Sequence, residues 1–204
     1  RMAPLSTTEQ QQIEKWTDDG LRVLLLAEFD DNNTPLKSLK SGSGRPLAVV
    51  LLRNLLRDGV VDTVAFLQRQ GVNIRVISGD NPRTVQYVAR AAGINNPDTA
   101  ITGAELAELD EPAFATAADQ HTIFARALPE QKERLIAHFS QRNHQFTGMV
   151  GDGVNDALAL KKADLGVAMY AGAPASRRVA DIILLNNSFN SLPLGMRLGN
   201  QIMQ

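Results

Sequence analysis

Apolar and polar positions alternate in short blocks along the chain, and the blocks change period. Thr8 to Thr17 reads as a helix, and Arg22-Val-Leu-Leu-Leu-Ala-Glu-Phe29 reads as a strand. Asp30 to Asn33 is a polar turn, and Lys37 to Pro46, rich in Ser, Gly and Lys, is the best linker in the chain. Leu47 to Leu52 is a continuous apolar run, as expected of a strand covered on both faces. Val60, Val61, Val64 and Leu67 then recur at helical spacing up to Gly71, and Ile74 to Ile77 is a short β-branched strand. Asn81 can cap a helix with Pro82 in its first position; Val85, Val88, Ala89 and Ala92 form its buried stripe, and Gly93 ends it. Beyond come a helix opened by Pro129, a strand from Phe146 to Val150 and a short helix around Asp156 to Lys162. The tail predicts a strand from Leu165 to Met169, a helix near Ala175 to Ala180 and a strand from Ile182 to Leu185. Short strands alternating with helices imply an α/β chain with a parallel, doubly wound sheet. Such sheets bind ligands at the carboxyl ends of their strands.

Composition narrows the function classes. Twenty-one basic against 22 acidic residues leave a formal charge of −1, which gives no electrostatic footprint for nucleic acid. The absence of cysteine excludes disulfides and thiolate metal sites and agrees with a reducing compartment. No apolar run approaches the about 20 residues of a membrane helix, and Arg1 to Gln12 is too polar for a signal peptide.

Three polar clusters fall where a parallel sheet places its ligand. Ser78-Gly79-Asp80 follows the strand ending at Ile77, Gly151-Asp152-Gly153-Val154-Asn155-Asp156 follows the strand ending at Val150, and Lys132 lies in the first turn after Pro129. Together they suit phosphoryl chemistry, in which a lysine, a hydroxyl and Mg²⁺ neutralise the equatorial oxygens of a metaphosphate-like transition state. Mg²⁺ needs only one or two carboxylates and keeps several waters, a set that Asp152 can begin. The glycines allow close backbone approach, and Asn155 and Asp156 can cap the next helix. Taken singly, Ser-Gly-Asp is ordinarily a turn with a cap and Lys132 an ordinary solvated side chain. Two carboxylates, an amide and two glycines within six positions are too costly for a mere turn.

The run Met149 to Met169, built on Gly151-Asp152-Gly153-Val154-Asn155-Asp156, resembles the hinge motif of cation-transporting P-type ATPases, whose phosphorylation domain has a haloacid-dehalogenase-like, Rossmann-like fold. Ile77-Ser-Gly-Asp-Asn81 is similar to that family's T-G-D-N segment, with the hydroxyl kept. Phe124-Ala-Arg-Ala-Leu-Pro-Glu-Gln-Lys132 is similar to its F-A-R-x-x-P-x-x-K, and Ala180-Asp-Ile-Ile-Leu-Leu185 to the stretch before its next membrane helix. The resemblance implies roles. Asp152, with Asp156, would hold Mg²⁺; Asn155 and Asp156 would order the phosphate and its water; Lys132 would neutralise the phosphoryl group; Ser78, beside Gly79, would donate to it. Asp80, Arg126 and Arg57 would lie near the nucleotide, ATP. Gly20-Leu21-Arg22 resembles the last stretch of the nucleotide-binding domain, where the arginine reaches the phosphates. It also implies a division into residues 1–46, the tail of that domain with a linker, and 47–204, the phosphorylation domain. The parent would be a membrane pump with this part on the cytoplasmic face. Its partners would be the pump's own membrane helices, actuator and nucleotide domains, ATP and a cation bound elsewhere. The wording from Ala157 to Asp164 is closer to calcium-like and broad cation pumps than to heavy-metal pumps.

Three departures matter. Asn54-Leu-Leu-Arg57 stands where the family has D-P-x-R, and Leu158 replaces a proline. No D-K-T-G-T segment, the bearer of the phosphorylated aspartate, occurs in the 204 residues. That implies a sequence starting inside the inserted nucleotide domain, inactive alone and short of the sheet's central strand. The missing strand is expected to be replaced by Arg22 to Phe29, by a strand from a second copy in a swapped homodimer, or by closure of the sheet. Two other readings compete: a soluble phosphatase of the same fold with Asp30 as nucleophile, and a non-catalytic nucleotide-binding relative. His121, His138 and His144 lack ligand spacing and are expected at the surface. Lys161-Lys162 and Arg177-Arg178 are expected as solvated pairs, and Trp16 is expected to pack on the first strand.

Overall fold

The structure, a computed structural model, describes residues 5–29, 44–53, 55–141 and 145–202. It divides into two compact units, Arg1–Leu55 and Leu56–Gln204.

In the first unit, helix α1 (Thr7–Asp18) opens on a capping box: the Glu9 N–H donates to Ser6 Oγ at 3.3 Å, and the Ser6 N–H donates back to the Glu9 carboxylate at 2.8 Å. Strand β1 (Leu21–Glu28) pairs antiparallel with β2 (Arg45–Arg53), from Leu21 opposite Arg53 to Glu28 opposite Arg45. β1 alternates half-buried Leu21, Val23, Leu25 and Ala27 with exposed positions, as a one-sided strand does. β2 is exposed throughout, so the expectation of a strand covered on both faces fails. An apolar run sets the propensity for a strand, but only tertiary neighbours can cover it. Pairing with β1 places β2 in the first unit.

The second unit begins with α2 (Val60–Arg69), whose Thr63, Val64 and Leu67 are buried. Two three-stranded parallel sheets follow. One has the order β3-β5-β4, from β3 (Val76–Ile77), β4 (Ala100–Thr102) and β5 (Ile123–Ala125); the other is β6-β7-β8, from β6 (Gly148–Gly151), β7 (Leu165–Met169) and β8 (Ile182–Leu184). Between the strands run α3 (Pro82–Ala91), capped by Asn81 as expected, α4 (Gly103–Ala107), α5 (Glu111–Gln120), α6 (Pro129–Gln141), α7 (Ala157–Lys162) and α8 (Pro174–Val179), and α9 (Ser191–Ile202) follows the last of them. β4, α4 and α5 are additions to the expected elements. Phe114, Phe124, Leu106 and Leu135 centre one core; Ile136, Met149, Ala159 and Leu160 centre another; Ile77 packs against both.

This α/β architecture with parallel sheets matches expectation; the replacement of a central strand by the front end does not. Among the described residues β3 pairs only with β5 and β6 only with β7, while β1 pairs with β2. The physical reason is length of pairing: β1 pairs with β2 from end to end, with one register shift between Leu26 and Ala27, whereas β3 offers two residues and β6 four.

Candidate functional site

Three strand ends and one helix start converge in the second unit. Ser78 follows β3, and its N–H continues the ladder to the Phe124 carbonyl on β5 at 2.8 Å. Its carbonyl accepts the Ala127 N–H at 2.9 Å, and the Asp80 carbonyl accepts the Arg126 N–H at 3.1 Å, tying the loop after β3 to the loop after β5. Arg126 holds φ at +50°, a left-handed conformation uncommon without glycine. Its backbone is pinned between Asp80 and Gly103, where an added Cβ would lie 2.4 Å from the Arg126 carbonyl oxygen. Ser78 Oγ accepts the Asp80 N–H at 3.1 Å, which leaves its own O–H able to donate.

The centre of the site is a buried ion pair. Lys132, in the first turn of α6, places Nζ 2.7 Å from Asp156 Oδ1, with side chains only 11% and 12% exposed. The second carboxylate oxygen, Oδ2, accepts the Gly153 N–H at 3.0 Å. Asp156 therefore does not cap α7 as expected: it precedes that helix but makes no cap bond to it, because both oxygens are engaged elsewhere. Gly151 permits this fold-back, since a Cβ there would lie 2.7 Å from Asp156 Cβ. Asp152 and Asn155 stand exposed at the tip of the loop.

A cation would meet Asp152 first. Among the described residues no group of three or more acidic, His or Cys side chains is gathered. A hard ion that needs one or two carboxylates and completes its shell with water and phosphate oxygens fits this donor set. Asp152 offers an accessible carboxylate, whereas Asp156 would have to share oxygens already held by Lys132 and Gly153.

The exposed Arg57 donates to the Asn187 carbonyl, near the start of α9, so it is not drawn to the cluster. Arg22 is an exposed position of β1, in the first unit. Asp30, Asn54 and His144 lie outside the described residues. His138 is not a surface residue: its ring, 18% exposed, stands edge-on to Phe114 and Phe139, with Nε2 3.2 Å from Asp119 Oδ1. Arg177 is half-buried and donates to the Tyr170 carbonyl; Lys161, Lys162 and Arg178 are exposed as expected. A cavity in the first unit is lined by Trp16, Ile13, Leu25 and Leu47 among others, with Glu9 as its one charged side chain.

Sequence reasoning missed the clamp behind the loop. The Ala173 N–H donates to the Asp152 carbonyl at 2.7 Å, and the fully buried Ser176 donates its hydroxyl to the Gly153 carbonyl. No local signal announces bonds between residues about twenty positions apart.

A family model described as haloacid dehalogenase-like hydrolase matches residues 2–164. The calcium-transporting ATPase CtpE of Mycobacterium tuberculosis is 41% identical over 187 residues, covering 90% of this chain and 22% of that protein. The calcium-transporting ATPase 1 of Lactococcus lactis is 33% identical, covering 95% of this chain and 22% of that protein. The chain thus spans under a quarter of the length of these relatives. Among solved structures, a zinc-transporting PIB-type ATPase in its E2.Pi state superposes with a TM-score of 0.64 at 24% identity, over 96% of this chain and 25% of that one, a likeness of fold.

Proposed function

The chain belongs to the haloacid dehalogenase-like hydrolase family and matches cation-transporting P-type ATPases over about nine-tenths of its length, and from that premise we propose that it forms part of an ATP-driven cation pump. In this reading residues 47–204 belong to the phosphorylation domain, and residues 1–46 are the tail of the nucleotide-binding domain with a linker. The parent places both on the cytoplasmic face of a membrane, where the pump's membrane helices, actuator domain and remaining nucleotide domain are their partners. No described helix of the chain is long and apolar enough to cross a membrane. The names of both relatives make Ca²⁺ the first cargo to test.

The observation that carries the reading is the buried Lys132–Asp156 pair, set beside exposed Asp152 at the carboxyl ends of β3, β5 and β6. Lys132 brings a fixed positive charge toward the oxygens of a phosphoryl group, and Ser78 brings a hydroxyl donor. Asp152 would hold Mg²⁺, which would supply charge neutralisation for the same group. Asp156 orients Lys132 and braces the loop that carries Asp152 and Asn155. These 204 residues contain no D-K-T-G-T, the segment that bears the phosphorylated aspartate in the family the chain resembles. Asp80 and Arg126, whose backbones are joined, form the rim on the nucleotide's side. An Mg²⁺ titration followed by amide chemical shifts tests the reading. Shifts should centre on Gly151 to Asp156 and disappear in Asp152→Asn; an unchanged titration in that variant refutes the assignment.

A further inference from the structure

We propose that Ser176 is a positioning residue for the loop Asp152–Asp156, setting the direction in which Asp152 presents its carboxylate; this rests on the Mg²⁺ and phosphoryl reading of that loop. Ser176 lies in α8 with no exposed surface, and its hydroxyl leaves its own helix to donate to the Gly153 carbonyl. Serines within helices ordinarily bond back to their own helix or point to water.

The target is the pivot of the loop. The Gly153 carbonyl also accepts the Asp156 N–H at 3.0 Å, closing the single 3₁₀ turn Val154–Asp156. The Gly153 N–H donates at 3.0 Å to the carboxylate that Lys132 holds. One residue thus ties the turn, the buried ion pair and α8 together. The same side of the loop has a second tether in the Ala173 N–H bond to Asp152, and Gly172 lies so close that a Cβ would be 2.7 Å from the Asp152 carbonyl oxygen. Gly151 and Gly153 make the segment permissive, so contacts from outside it must select its shape. Without the hydroxyl, the Gly153 carbonyl keeps the Asp156 N–H. The turn then survives with one anchor fewer, and the loss appears as local disorder rather than as unfolding.

Ser176→Ala in the 204-residue chain tests this by two measurements. In Mg²⁺-free protein, amide exchange at Gly153 and Asp156 should accelerate roughly five- to tenfold, the equivalent of one hydrogen bond, with the rest of the unit unchanged. In the folded protein, Mg²⁺ affinity read from amide shifts should fall several-fold. Ser176→Thr, which keeps the hydroxyl, should restore both; if the extra methyl prevents folding, Ser176→Cys, a weak donor of similar size, should give intermediate values. Wild-type exchange and affinity in Ser176→Ala overturn the proposal. So does exchange raised throughout the unit with unchanged Mg²⁺ affinity, the mark of a merely structural serine. Failure of Asp152→Asn to alter the titration refutes the metal reading alone, and the Mg²⁺-free exchange still decides the role of Ser176.

Discussion

Lys132 and Asp156 form a pair that is far more costly to break than to replace. Removing one partner from a buried ion pair leaves a desolvated charge, typically at a cost of about 3 to 5 kcal/mol, whereas replacing both with apolar groups can be near neutral. Lys132→Met should therefore destabilise the second unit by several kcal/mol in urea unfolding. Lys132→Met combined with Asp156→Leu should recover much of that loss, while abolishing phosphoryl chemistry in the parent pump. An additive double variant would show that the two charges do not interact. His138 makes a different, pH-dependent contribution. Burial first, then the nearby Arg75 guanidinium, lowers its pKa below the ordinary 6.5, with Glu111 opposing. Below pH 6.5 the unfolded chain takes a proton that the folded ring resists, so stability falls as the pH drops through that value toward the lower folded one. Above 6.5 this contribution is complete. The urea midpoint should rise from pH 5 to pH 6.5 and then level off, and His138→Gln should flatten the slope.

Among the elements, the short helix α4 shows how local chemistry sets a boundary the site depends on. Thr102 Oγ1 accepts the Glu105 N–H at 3.3 Å, and the Glu105 carboxylate accepts the Thr102 N–H at 2.7 Å, a capping box at the end of β4. The Thr102 hydroxyl and then its N–H hold the Glu105 pKa below its ordinary value, so this stabilisation is complete above pH 4.5 and lost as the pH falls through the folded value. Thr102→Ala should cost about 1 kcal/mol, read as a shift in unfolding midpoint at neutral pH. The next residue tests packing. Gly103 faces the Arg126 carbonyl and the Gln131 side chain, so Gly103→Ala forces a backbone shift. It should cost about 1 to 3 kcal/mol and move the amide resonances of Arg126 and Ala127, whereas Ala104→Gly on the exposed side should leave them in place.

For the whole molecule, two consequences follow from what the chain carries. Without a D-K-T-G-T aspartate, incubation with [γ-³²P]ATP and Mg²⁺ should give no acid-stable phosphoprotein; label that vanishes in Asp30→Asn would restore the phosphatase reading. Among the described residues β3 and β6 each leave one edge without a strand. Unpaired edges favour pairing with another chain, the swapped homodimer being one form. Sedimentation velocity over a concentration series should show reversible self-association of the 204-residue chain. A monomer at every concentration would mean that these edges are closed in another way.

The sequence alone determined the α/β alternation, the cap at Asn81, the short strands at Ile77 and Leu165 to Met169, and the clusters at Ser78, Lys132 and Gly151 to Asp156. All of these are written in local period, capping chemistry or contiguous motif. Tertiary structure decided the remainder. Leu47 to Leu52 became an exposed partner of β1 because coverage depends on which elements arrive. Asp156 turned to Lys132 and Gly153 instead of capping α7, since a charge buried at that distance needs a counter-charge more than a helix end needs a cap. His138 stands edge-on to two rings, a burial that no local signal announces, and Arg57 turned to Asn187. Ser176 met Gly153 across 23 residues of chain, and a contact of that separation arises only when β6, β7 and α8 have stacked, because neither residue's own neighbours encode it.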